Sequence, residues 1–378
     1  MGSQNPIADA ARSIPRTASE PFVKAGVCYA LFAYDIAFAI NLDDAERMLT
    51  GVKHRETIRP HRRVPRSLQY QSAPLRITEV AEPISIAGFT SASTVDALIY
   101  DFGAVSIMYS IPLRGPLDRV LELGTALYDH TALFTDSRQR VEQLMAMVRG
   151  ALVKPGISEE IEDYLVYHIA AFDPPWPIER LLAERGDVLA RILRSEPGPL
   201  SQEEVHDALA QRVSYTPHDT ALIDWNGAMV IDAECDDVRA VLEFANVELL
   251  EMRFLDRRLD GSLDAAYAAL NRRGWWRLRG MRTEVRRIAQ LQADGAVLFE
   301  GVTNFLKLVG DQYLARVYRT ASARLHRADW DATILRKLQT LESIYDKLTD
   351  QQAARRMELL EWIIIILIAV SIAISMYA

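Results

Sequence analysis

The sequence predicts an α+β protein: an antiparallel sheet built from hairpin–helix units, a helical C-terminal stalk and one C-terminal transmembrane helix. Three observations predict it. LIYDFGAVSI (Leu98 to Ile107) and LIDWNGAMVI (Leu222 to Ile231) share an order of residues with one gap, and a helix carrying VLEL or VLEF follows each. That likeness reads as a diverged internal duplication. Ile334, Leu338, Leu341, Tyr345 and Leu348 recur at alternating spacings of four and three, a heptad seam that runs on through Gln352, Arg355, Leu359 and Trp362. The last seventeen residues, Trp362 to Ala378, carry no charge.

Composition sets the frame. A chain of 378 residues with 49% hydrophobic content is long enough for two structural units with packed cores. A net charge of −8 argues against a general nucleic-acid binder. Two cysteines, Cys28 and Cys235, are too few for a disulfide framework, and both lie in apolar runs.

Residues 1–22 read as a disordered tail. They lack the apolar h-region of a signal peptide, and Pro6 breaks the myristoylation pattern. The α+β head is expected over residues 23–261. Gly26 to Ile40 is an apolar, aromatic-bearing strand. Asn41 caps a short helix from Leu42 to Thr50, with Asp43 and Asp44 in its first turn. Residues 51–76 are loop, and 77–95 have room for another strand. Ala97 to Tyr100 and Ala104 to Ser110 form a hairpin about Asp101-Phe102-Gly103, and a helix follows from Pro116 to Ala126.

Residues 136–213 are expected as a helical insert, with breaks at Pro155-Gly156, Asp173-Pro174-Pro175 and Pro197-Gly198-Pro199. Ser201 and Glu204 make a capping box for its last helix. Thr220 to Trp225 and Ala228 to Ala233 form the second hairpin, with Asn226-Gly227 as a type I′ turn. From Asp236 or Asp237, apolar residues at three and four spacing (Val238, Val241, Leu242, Ala245, Leu249, Met252, Leu255, Leu259) predict one long helix to Gly261. The two hairpins are expected to pair in one sheet with helices on one face.

Residues 262–361 read as a helical, coiled-coil stalk. The seam fits either self-association or one helix of an antiparallel bundle packing back on residues 262–327. Residues 362–378 are the expected anchor. A helix of that length rises about 25 Å against a hydrocarbon core of about 30 Å. Trp362, Ile363, Ile364, Ile365, Ile366 and Tyr377 mark its body and its aromatic ends, and Arg355 and Arg356 flank its entry. That charge placement predicts a single-pass, tail-anchored membrane protein with most of the chain on the cytoplasmic or equivalent inner side.

Catalytic patterns are absent from the sequence. There is neither a GxxxxGK[ST] nor a GxGxxG loop, and the seven histidines show no metal-ligand spacing. His168 is read as packed or exposed on a helix, and His218 lacks a Ser or Cys elbow. No cofactor, metal or small-molecule substrate is therefore expected. Two basic patches stand against the acidic total. One spans Lys53 to Arg66. The other holds Arg272, Arg273, Arg277, Arg279, Arg282, Arg286 and Arg287, with Trp275 and Trp276 among them. Arginine interleaved with tryptophan suits RNA or anionic headgroups. It equally suits a solvated helix face paired with Glu248, Glu251 and Asp256.

KLQTLESIYDKLTDQQAARRMELLEWIIIILIAV (Lys337 to Val370), with Leu360-Glu361-Trp362 before the isoleucines, resembles the end of the "required for meiotic nuclear division" family. LIYDFGAVSIMYS (Leu98 to Ser110) and VLEFANVELLEMRFLDRRLD (Val241 to Asp260) resemble its hairpin and following helix. The insert 136–213 and the Trp225-Asn226-Gly227 hairpin depart from that pattern. The resemblance implies a membrane-anchored protein without catalytic residues, with a mitochondrial member similar to a scaffold that supports translation. The expected function is a non-enzymatic, membrane-anchored scaffold. It would touch the lipid bilayer, form homo-oligomers through the C-terminal helices and bind a protein partner. The alternative is a tether that contacts RNA or the ribosome. A hydrolase or nuclease ranks third.

Overall fold

The computed structural model describes residues 20–49, 52–55, 73–271 and 312–377. Phe22–Asp35 (β1) and Ile161–Phe172 (β10) are the spine of the sheet. They pair antiparallel, with Leu31 opposite Tyr164. Along β1, Cys28, Ala30, Phe32 and Tyr34 enter one core and Leu31 and Ala33 the other. That is the period of two of a strand covered on both faces.

Outward from β1 lie Ala104–Pro116 (β8), Thr94–Ile99 (β7), Leu75–Val80 (β4) and Val52–Arg55 (β3). Outward from β10 lie Gly227–Ile231 (β13), Thr220–Ile223 (β12) and Arg212–Val213 (β11). The nine strands make one sheet, antiparallel except where β10 and β13 run parallel. Two small ribbons stand apart: Ala37–Ile40 (β2) with Leu152–Pro155 (β9), and Ser85–Ile86 (β5) with Phe89–Thr90 (β6).

Helices cover both faces. On one lie Leu117–Leu127 (α2), Thr131–Met147 (α3) and Ile178–Arg194 (α4). On the other lie Asp236–Asn271 (α6), Gln312–Arg324 (α7) and the start of Arg327–Tyr377 (α8). Leu42–Met48 (α1) and Gln202–Ala210 (α5) are short and peripheral. The expectation of helices on one face is thus corrected. The two look-alike hairpins flank the β1–β10 pair on opposite sides, and α2 and α6, which follow them, fall on opposite faces.

Several local readings meet the structure directly. Asn41 caps α1 by accepting from the Asp43 and Asp44 amides, both at 3.1 Å. Ser201 caps α5 by accepting from the Glu204 amide at 3.2 Å. Gly103 sits at φ +109°, where a Cβ would stand 1.8 Å from the Ala37 carbonyl oxygen, so that turn admits only glycine. All eight apolar positions of the α6 register are buried.

Other readings are corrected. Residues 161–172 are not part of a helical insert but the strand β10. Tyr164, Val166 and Tyr167 are buried there because both faces are covered, and an apolar run of that kind has no period that separates strand from helix. The 223–227 connection is not type I′, since neither Trp225 nor Asn226 takes positive φ. The Asp224 carboxylate accepts from the Trp225 amide instead, at 2.9 Å.

The heptad seam packs inward at its start. Ile334, Leu341 and Ile344 are buried against the core shared with α6, and Lys337 bridges Asp256 and Asp260 of α6 at 2.7 and 2.6 Å. The antiparallel-bundle alternative is corrected: Glu248 meets Arg327 and Asp256 meets Lys337, so the contacts advance in the same direction along both helices and this half of α8 runs parallel to α6. Among the described residues, no helix is long and apolar enough to cross a membrane. The expected transmembrane helix, the tail-anchored topology and the single-pass placement facing the cytoplasm fall with that finding.

Candidate functional site

A cleft of about 550 Å³ opens at the end of the sheet where β10 and β13 begin. Glu162 and Asp163 of β10 and the Trp225-Asn226 loop form one side, and Asn246 and Arg253 of α6 form its wall. The α7–α8 turn closes it with Arg324, His326, Asp329 and Trp330, while Tyr128 and Asp129, between α2 and α3, form the rim. Asp129 and His326 each hold φ of 54°, as does Ser195, whose hydroxyl accepts from the Asn226 amide at 3.0 Å. Left-handed non-glycine residues are sparse in proteins and gather at functional sites.

Arg324 joins the cleft to an ionic lattice beside it. Asp224 is fully buried at the β12–β13 connection and accepts from Arg194 at 2.9 Å and Arg324 at 2.5 Å. Asp207 of α5 bridges the same two arginines, each at 2.6 Å. The Arg324 hydrogen bond, joined by Arg194, holds the Asp207 carboxyl below its usual range. The Tyr164 hydroxyl donates to the Asp224 carbonyl at 2.8 Å. This lattice ties α4, α5 and α7 to the second hairpin. Removing one partner of such a buried pair costs on the order of 3–5 kcal/mol, because the other charge stays buried alone.

The cleft wall is asymmetric in its hydrogen-bonding capacity. Arg253 donates to Glu162 at 2.5 Å and lies 5.9 Å from the Trp330 ring centre. Burial pushes the Glu162 carboxyl up, and Arg253 opposes that. Asp163 is also pushed up by burial, with the nearby Asp129 charge adding to it. Among the described residues, neither Asp129 nor Asp163 makes an ion pair.

Beneath α6 lie further buried charges. Glu248 meets Arg327 at 2.8 Å and accepts from the Tyr318 hydroxyl, yet burial lifts its carboxyl to about 7. Asp35 and Glu251 are hydrogen-bonded to one another in the interior. Burial lifts Asp35 to about 7 and Glu251 well above its ordinary value.

The sequence-predicted residues fall elsewhere. Arg272, Arg273, Trp275, Trp276, Arg277, Arg279, Arg282, Arg286 and Arg287 lie outside the described residues, as do Arg59 to Arg66. Lys53 and Arg55 are on β3. Glu248, Glu251 and Asp256, suggested as surface partners for the arginines, are otherwise engaged: the first two are buried, and Asp256 pairs with Lys337. Arg355, Arg356 and Tyr377 lie on α8. Trp362 and Ile363 to Ile366 project from the same helix, exposed by 45–64%.

Cys28 and Cys235 are buried; burial pushes the Cys28 thiol up and lifts Cys235 to about 12. His168, on strand β10 and not on a helix, holds the Asp232 carbonyl at 2.9 Å. Among the described residues, no group of three or more His, Cys, Asp or Glu side chains is set to hold a metal ion.

Sequence reasoning missed the cleft because five separated segments build it. One signal was available: Trp225, a large aromatic at a hairpin tip, is 49% exposed.

A profile of the family described as "Uncharacterized protein MJ0711, N-terminal domain" matches residues 25–237, from β1 through the start of α6. The uncharacterized protein MJ0711 of Methanocaldococcus jannaschii is 21% identical over 240 residues, covering 62% of this chain and 72% of its own. No solved structure matches the chain.

Proposed function

The chain belongs to the family of the uncharacterized MJ0711 N-terminal domain, and on that footing we propose that it is a non-enzymatic scaffold that self-associates through the outer half of α8. One observation carries this reading. Past Tyr345, α8 leaves the core and presents Leu360, Trp362 and Ile363 to Ile368 exposed on every side. Apolar surface that extensive marks an association site, at about 25 cal/mol per Å² removed from water. The heptad positions Leu359 and Trp362 continue in register into that segment, so a second copy of the same helix offers a matching stripe. The commitment of both thiols and of His168 supports a role in binding over catalysis.

Sedimentation velocity of the full chain tests the reading, alongside a variant carrying Trp362→Asp and Ile366→Asp. We expect a discrete oligomer that the variant converts to monomer. A monomeric parent chain would overturn the proposal, and so would a chain that partitions into liposomes as a monomer. The alternative, contact with RNA or the ribosome, rests on Arg272 to Arg287. Its mark is binding that weakens steeply as salt rises.

A further inference from the structure

The cleft at the β10–β13 end has a chemical bias independent of the apolar helix. Asn246 is 1% exposed and uses its amide nitrogen to donate to the Glu162 carbonyl at 3.1 Å, and no group among the described residues hydrogen-bonds its amide oxygen. Asn226 donates to Ser195, and its own amide oxygen is likewise left over. Asp129 and Asp163 make no ion pair among the described residues. Arg324 is engaged by Asp207 and Asp224, and Arg253 reaches Glu162. The wall thus offers acceptors and anions beside the half-exposed ring of Trp225.

A ligand complementary to that wall carries positive charge and several N–H donors, and has hydrocarbon to lay on an indole face. At about 550 Å³ the cleft matches a small organic molecule and exceeds what a bare ion fills. We propose that it binds a linear aliphatic polyamine. One ammonium group would sit between Asp129 and Asp163, donating also to the Asn246 oxygen, and the alkyl chain would lie across Trp225. Binding places a cation between two carboxylates that otherwise repel each other.

Calorimetric titration of the full chain with spermidine tests this, with Trp225 fluorescence as a second readout. We expect one saturable site, weakened about tenfold or more by Asp163→Asn and by Asp129→Asn, a loss of about 1.4 kcal/mol or more. Asp129→Asn guards against misfolding, since Asp129 is exposed and asparagine tolerates its left-handed backbone. Glu342→Gln, exposed on α8 outside the cleft, is expected to leave the affinity unchanged. Trp225→Phe is expected to abolish the fluorescence change. Three results would overturn the proposal: no saturable binding, equal weakening by Glu342→Gln, or displacement of spermidine by an equal concentration of Mg²⁺.

Discussion

At the residue scale, the buried carboxyls of β1 and α6 set the pH response. Asp35 is held near 7 and Glu251 higher, so in the folded chain the pair retains protons that the unfolded chain releases near 4. Their contribution to stability is therefore full below about pH 4 and is lost as pH rises through about 7. Glu248, lifted to about 7, acts in the same direction. We expect the denaturation midpoint to fall between pH 5 and pH 8. Glu251→Gln should flatten that slope and raise stability at pH 8 by on the order of 2 kcal/mol. Urea titrations across that range measure it, and an unchanged slope would remove the pair from the account. Capping residues were readable at this scale: Asn41 and Ser201 act locally, within three residues of the groups they satisfy. Asp224 was not readable. Its arginines come from helices far away in sequence, and only the tertiary fold brings them to it.

At the scale of the element, α6 and α8 show where periodicity succeeds and where it stops. The α6 spacing names a buried face, and every residue of it is buried. The α8 seam is equally regular, yet its first stretch packs against α6, whereas Trp362 farther along it is exposed. Spacing alone specifies that a stripe needs cover, not which surface supplies it. Leu341 lies fully buried in the inner stretch. Leu341→Ala is expected to cost about 2–5 kcal/mol and to release α8 before the sheet melts. Protease cleavage within residues 327–345 at denaturant concentrations that leave the sheet intact would register that release. Strand β10 is the converse case. Its residues carry neither a helical stripe nor a clean alternation, because each side of the strand has its own helices. The insert was misread for that reason.

At the scale of the whole molecule, the hairpins were visible in sequence but their arrangement was not. Turn residues fix each hairpin, whereas sheet order depends on pairings between segments far apart along the chain. The cleft inherits that difficulty. The architecture predicts a gradient of hydrogen exchange: amides of β1 and β10, paired on both sides and covered on both faces, should exchange slowest. Amides of α8 beyond residue 346 should be protected only in the assembled form, which dilution would reveal. Uniform protection at every concentration would contradict that picture.

The placement of β10 beside β1 also imposes an order of events on the ribosome. When the first hairpin and α2 have emerged, one margin of β1 is still bare, and its complement has not been made. At about 5–20 residues per second, translation leaves that margin unguarded for roughly 2–9 seconds. A naked strand edge recruits whatever strand is nearest, including that of a neighbouring nascent chain. Messages crowded with ribosomes should therefore yield more insoluble product than sparsely loaded ones, and slowing elongation across codons 117–160 should make the loss worse.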